Sequence, residues 1–374
     1  MKKYLVLLLT LSLWACSDSG DKPEPVPVDE DKDRKVMLSY LASQIIIPSY
    51  DQFKVKFDAM VAKSNAFAAK PDAATLADYR GAWADAYTEW QKVELFDFGP
   101  GEKHTIRNFF NIYPASELGI AANMADPASS LDVPSSYPSQ GFPALDYLIN
   151  GLAATDAAIL TEYTTAPDAA KKLAYIKRVN ERMSSILNTV ITEWKGPYNA
   201  TFTTKTGLDI GSSTSLLVNG YVLHYERYIR SGKFGIPSGA MLNGVPAAEK
   251  VEAYYKKDLS LTLAKTAHQA YIDFFNGKDV KSGGSGPSLK TYLNALGAKD
   301  SATGKSLSEL LNSQFEASNA KLSVLKPNLF EEVKTNNQAM KDTYTEMQKA
   351  VRMLKVDMSS AMSITITYTD NDGD

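Results

Sequence analysis

Residues 168–194 read DAAKKLAYIKRVNERMSSILNTVITEW. Leu173, Ile176, Val179, Met183, Ile186, Val190 and Trp194 follow one another at steps of three and four, so they share one stripe of an α-helix, with Lys and Glu on the other side. Gly196-Pro197 ends the run, since a proline cannot continue the ladder and a glycine suits the exit. A helix this long with a single apolar stripe is stable in water only when that stripe is covered, and the partners the chain offers are more helices.

Working outward, Tyr40, Leu41, Ile45, Phe53, Phe57, Met60 and Val61 predict a helix from Val36, kinked or broken at Pro48. Leu76, Tyr79, Trp83, Ala86, Trp90 and Val93 form a second stripe after Pro71-Asp72, stopped by Gly99-Pro100-Gly101. Helices are expected over Leu216–Ile229 and over 247–276, the latter on Val251, Tyr254, Tyr255, Leu259, Leu263 and Ile272, followed by a Gly/Ser loop at 282–287. Leu307, Leu310, Leu311, Phe315, Leu322 and Leu325 mark another helix. Val333, Met340, Met347 and Leu354, at seven-residue spacing, mark the seam of a last one. Only SITITY, Ser363–Tyr368, alternates like a strand. The expected fold is all-α, with two helical-bundle domains at 36–200 and 201–374 and a short extended C-terminal tail. Trp83, Trp90 and Trp194 are read as core, because aromatic stripes at helical spacing fill bundle interiors.

Composition narrows the function. The chain has 374 residues, 40 Lys+Arg against 43 Asp+Glu, a net charge of −3, and 44% hydrophobic residues. That near balance lacks the basic footprint of a nucleic-acid binder, so no nucleic-acid partner is expected. A single cysteine excludes an internal disulfide framework and a Cys-based zinc site, and three histidines leave little for a His-rich metal centre.

The cysteine sits at the end of MKKYLVLLLTLSLWAC. Two lysines precede an apolar run too short to span a bilayer, and Leu13-Trp14-Ala15-Cys16 resembles a bacterial lipobox. Residues 1–15 are therefore expected to be a lipoprotein signal peptide, with acyl chains on Cys16 anchoring the mature chain to the outer membrane. Residues 16–35, rich in Pro and acids and nearly free of large apolar side chains, are expected to be a disordered tether. The Ser17-Asp18 start resembles acidic surface-export signals, and a solvated periplasmic spacer fits the same residues, so the chain faces the periplasm or the cell surface.

The sequence contains no His-Glu-x-x-His helix, no Gly-x-Ser-x-Gly elbow and no phosphate-binding Gly-x-x-x-x-Gly-Lys loop. His104, His224 and His268 are separately placed and read as structural or surface residues. Two acids stand out. Glu94, four residues after Trp90, is either a half-buried functional carboxylate or a helix-end acid paired with a nearby cation. Asp146 lies in Gly141–Gly151, GFPALDYLING, where Pro143 suits the first turn of a helix and Asp146 is placed for its positive dipole end.

That segment resembles the signature of the imelysin family, Gly-x-His-x-x-Glu followed by an apolar helix. Trp83–Pro114, with EWQKVELFDFGP and NIYP, is similar to the family's N-terminal pattern. HYERYIRSGKFGIPSG (His224–Gly239) resembles its second-bundle turn, and DMSSAMSITITYTDNDGD the end of lipoproteins of this type. The likeness runs from residue 36 onward. It implies two helical bundles related by a pseudo-repeat, with the signature at their interface, in secreted or lipid-anchored proteins linked to iron acquisition and named for peptidase activity.

The sequence departs at the signature itself. Pro143 stands where the family has His, and Asp146 where it has Glu. His and Glu three apart on a helix could share a metal; proline has no donor atom, and one carboxylate cannot hold zinc or iron alone. The resemblance then implies a binding pocket formed by Gly141, Phe142, Pro143 and Asp146, with Glu94 as a second acid, and no catalytic residue or metal ligand. No cofactor is expected; iron or zinc would need ligands from elsewhere. The expected function is a lipid-anchored, non-catalytic binding protein for iron or nutrient uptake, partnered by an outer-membrane uptake protein. An imelysin-type metallopeptidase is the alternative.

Overall fold

The structure is a computed structural model describing residues 30–369. The expected signal peptide, the expected lipidation site Cys16 and most of the expected tether lie outside these residues. The fold is all-α: no β-strand occurs among the described residues, only two isolated bridges, Lys278 to Ser285 and Lys299 to Ser306.

The first half is built on α1 (Glu30–Tyr40), α2 (Ile47–Ala69), α3 (Ala73–Trp90), the short α4 (Gly141–Asp146) and α5 (Ala169–Lys195). The second contributes α6 (Ser213–Leu223), α7 (Ser260–Phe275), α8 (Leu307–Ser323) and α9 (Leu329–Arg352). A capping box at Asp72 and Thr75 turns α2 into α3, and α5 lies across α2 with Ile176, Val179, Met183, Val190 and Trp194 buried. Trp83 and Trp90 are also buried. The buried apolar residues of both halves join in one cluster, from Met37 to Ile364.

Three local expectations are corrected. The tether was expected to reach residue 35, yet α1 starts at Glu30. Acids in its first turn favour the dipole, and buried Arg34 ties it to the Thr206 carbonyl (2.7 Å) and the Tyr292 hydroxyl (3.0 Å). Pro48 does not break its helix. A π-helical turn, Leu41–Ile46, precedes it, and the Gln44 carbonyl that Pro48 cannot serve accepts the Val280 N–H at 3.2 Å.

The expected helix over 247–276 exists only as α7. Residues 248–250 form a 3₁₀ turn, and the chain then runs irregularly, with Ala253 and Lys257 both at φ +54°. The tail is extended, with Ile364 buried and Thr365 and Thr367 exposed as alternation predicts. Among the described residues no second strand pairs with it; the side-chain amide of Asn219 takes that place.

Candidate functional site at the junction of the halves

Gly141 opens α4 at φ +78°, where a Cβ would stand 2.5 Å from the Phe110 carbonyl oxygen, so glycine is required. Phe142 stacks on Tyr87 at 4.6 Å between centroids, and its carbonyl accepts the Trp83 indole N–H at 3.2 Å. Pro143 is buried and contributes no polar side-chain atom. Asp146 is 1% exposed.

Asp146 does not cap its own helix, since it is the sixth residue of α4. Its carboxylate instead accepts the backbone N–H groups of Tyr255 and Lys256, each at 3.0 Å, and the Asn150 side-chain amide at 3.0 Å. Burial pushes its pKa up to about 7, against the pull of those three donors and the Lys256 charge. The irregular path after Val251 is what turns these two N–H groups outward; in a helix they would serve carbonyls of their own chain. The same segment is seated by the Tyr255 ring, which a Cβ on Gly151 would strike at 2.3 Å, and by a 2.5 Å bond from the Tyr255 hydroxyl to Glu117.

Glu94 follows α3 in a turn and is 3% exposed. It is the paired acid: its Oε1 accepts the Asn111 amide at 2.9 Å and lies 3.2 Å from the Arg107 Nε. Asn111 also donates to Glu252 at 2.8 Å and accepts from the Tyr87 hydroxyl at 2.5 Å. Gln91 donates to Glu252 at 3.0 Å, and Lys233 bonds both the Gln91 carbonyl, at 2.7 Å, and Glu252. Tyr87, Gln91, Glu94, Arg107 and Asn111 thus meet Lys233 and Glu252 of the second half in one buried network.

Asp146 and Glu94 are not bonded to each other. They grip opposite ends of the same short segment, Asp146 directly at 255–256 and Glu94 through Asn111 at Glu252.

Arg107 stacks 3.6 Å above the Tyr228 ring, whose other neighbour is His224 at 5.8 Å. His224 is 1% exposed and neither ring nitrogen has a hydrogen-bond partner. Burial holds its pKa well below the usual value, and the Lys233 and Arg107 charges push the same way, so it is neutral. His268 is bonded to Tyr225 and Asn319, and burial lowers its pKa to about 4. His104 meets Glu193 at 2.8 Å. Among the described residues no three His, Cys, Asp or Glu side chains gather in a way that could hold a metal ion. Beside the network, a cleft of about 250 Å³ opens between α2, Leu95-Phe96, α7 and the 278–283 loop, with Phe96 and Phe274 in its wall and Lys92 and Asp273 among its polar groups.

Sequence reading singled out none of Gln91, Arg107, Asn111, Lys233 and Glu252, although Asn111 opens the quoted NIYP and Lys233 lies within His224–Gly239. No local signal marks Lys233 or Glu252, since each stands among other polar and charged residues in the sequence, Arg230 and Ser231 beside the one and Glu249, Lys250 and Lys256 beside the other.

A family model described as Imelysin matches residues 46–358. No curated protein matches. Two crystal structures are similar in fold. One, from Parabacteroides distasonis, is assigned as an iron-regulated protein A precursor; it is 18% identical, covers 89% of this chain and 97% of its own, and gives a TM-score of 0.66. The other is an imelysin-like protein from Psychrobacter arcticum, 16% identical, covering 90% of this chain and 98% of its own, with a TM-score of 0.67.

Proposed function

The chain belongs to the imelysin family, and from that premise we propose that it is a non-catalytic binding protein, lipid-anchored at Cys16 in the outer membrane and serving iron-related or nutrient uptake. One observation carries the non-catalytic part. Asp146, the one acid left in the signature, gives its carboxylate to two backbone N–H groups and an amide of its own protein. The side chain of Pro143, three residues earlier, has no lone pair to offer. The signature then works as a clasp that fixes the junction of the halves, and the ligand is taken at that junction, framed by the acids rather than ligated by them. The uptake role rests on the family and on the iron-regulated name of a protein with the same fold; the anchor rests on the lipobox pattern at Leu13–Cys16.

The test uses protein purified without chelators, beside the Asp146→Ala variant. The expected outcome is no peptide hydrolysis above the variant and no stoichiometric zinc or iron that vanishes with it. Peptide hydrolysis together with a bound transition metal, both lost on Asp146→Ala, would favour the metallopeptidase instead. Labelled palmitate incorporated into the wild type and absent from Cys16→Ala checks the anchor.

A further inference from the structure

Two opposite charges at the junction feel each other without meeting. Arg107 pairs with Glu94 through Nε at 3.2 Å and lies with its face on the Tyr228 ring, 3.6 Å from the centroid. Those contacts use one edge and one face of the guanidinium. Its two terminal nitrogens make no hydrogen bond among the described residues, and they form the edge that matches a carboxylate with two parallel bonds. Asp97 is half-buried in the segment after Glu94 and makes neither a hydrogen bond nor an ion pair among the described residues. Burial lifts its pKa to about 6 while the Arg107 charge pulls it down, so the two groups face one crevice that no ion pair closes.

The groups around that crevice are unpartnered as well. Tyr113 and Tyr228 are half-buried, and neither hydroxyl makes a hydrogen bond among the described residues. The Tyr113 hydroxyl lies 3.1 Å from where a Cβ on Gly232 would stand, so the bare glycine leaves room beside it. On the Asp97 side, the Tyr50 hydroxyl is buried without a partner, and burial and then the Asp97 charge hold its proton in place. On the Arg107 side, His224 is buried with neither nitrogen bonded. Buried polar groups in folded proteins are nearly always bonded, so orphans on both sides of one crevice mark bonds kept for something that enters it.

Charge says what enters. A bare anion would meet Arg107 but also Glu94 and Asp97. A bare cation would meet Asp97 but also Arg107. A molecule carrying a carboxylate and an ammonium a few bonds apart gives each group its opposite and adds no net charge to the junction. We propose that the crevice between Asp97, Arg107, Tyr113 and Tyr228 binds a free α-amino acid, its carboxylate on the terminal nitrogens of Arg107 and its ammonium on Asp97, with the two phenols beside it. This rests on the reading that a ligand is taken at the junction, and it names the class of that ligand.

The experiment titrates the full chain by calorimetry with the common L-amino acids one at a time, then with the half-molecules of the one that binds best. For L-alanine these are propionate, which lacks the ammonium, and ethylamine, which lacks the carboxylate. One-to-one binding of at least one amino acid is expected, with each half-molecule weaker by roughly tenfold or more. Asp97→Asn keeps the shape and removes the charge, so it should weaken the amino acid by a similar factor and leave the amine-free acid unchanged. Arg107→Gln should abolish both; should it fail to fold, Asp97→Asn decides alone. Absence of binding by every amino acid overturns the proposal, as does a half-molecule that binds as tightly as the whole or an Asp97→Asn chain that binds like the wild type. Neither Asp97 nor Arg107 lies in the signature, so peptide hydrolysis or a metal lost on Asp146→Ala would overturn the non-catalytic reading and leave this one standing.

Discussion

Asp146 and Glu252 are both buried carboxylates at the same junction, one from each half, and they are satisfied in opposite ways. Asp146 reaches from the first half to backbone N–H groups of the second. Glu252 reaches from the second half to side chains of the first, Gln91 and Asn111, and to its own Lys233. A carboxylate on backbone donors fixes the path of a chain whatever its side chains are. A carboxylate on side-chain donors belongs to a set that stands or falls together. The junction is thus held by one position-setting contact and one composition-dependent network, three to four residues apart.

The largest effect should come from breaking the network on one side. Glu252→Ala leaves the Lys233 ammonium buried with Gln91 as its remaining partner, and an uncompensated buried charge costs about 3–5 kcal/mol. Replacing both, Glu252→Leu with Lys233→Met, should recover part of that loss, because the pair's desolvation cost goes with it while buried Gln91 is left without its two partners. Urea unfolding measures both. A double variant as unstable as the single one would mean that the network holds the junction by more than charge balance.

Breaking the clasp should cost less. Asp146→Asn turns one acceptor into a donor facing a backbone N–H, leaving one buried group unsatisfied for about 1–3 kcal/mol. The same variant separates the clasp from the network by pH. Burial raises the Asp146 pKa from 3.8 to about 7, so the folded protein holds that proton more tightly than the unfolded chain. Its favourable contribution is complete below about pH 4 and is lost as pH rises through 7. The stability of the wild type relative to Asp146→Asn should therefore fall across that window, measured as the difference between two urea midpoints. A difference that grows with pH would mean that the three donors outweigh burial and the acid is ionised throughout.

The contrast also explains what could be read in advance. The stripe on α5 is visible because each of its residues obeys one local period, and Ile176, Val179, Met183, Val190 and Trp194 are all buried as that period requires. The seam of α9 is equally legible in Val333, Met340 and Met347, although the chain bends at Asn336 (φ −152°) with no Pro or Gly to announce it. Around Val251, Tyr254 and Tyr255 the same apolar spacing misleads. There the backbone leaves helix and two of its N–H groups go to Asp146, more than a hundred residues away in sequence, and no local pattern records that. Glu94 and Asp146 could be picked out as acids in apolar surroundings. That they serve one segment from two ends depends on where Glu252 falls, which the misread helix concealed.

The smallest effect, and the sharpest test of how closed the network is, concerns His224. It lies against Tyr228 beneath Arg107, with both ring nitrogens unpartnered and its charge suppressed by burial. A buried imidazole with nothing to bond loses its hydration without return, a penalty of about 1–3 kcal/mol. His224→Phe keeps a flat ring and removes both polar atoms, so it should be neutral or stabilising by up to about 1 kcal/mol, since the larger ring gives back part of the gain in packing. Asp146 and Glu252 are both expected to destabilise on substitution, so the opposite sign at His224 would mark it as outside the network that holds the halves. A loss of 2 kcal/mol or more would show the reverse: that in solution the imidazole bonds a water or a small polar ligand at the junction, and that the network extends one residue deeper than its protein contacts.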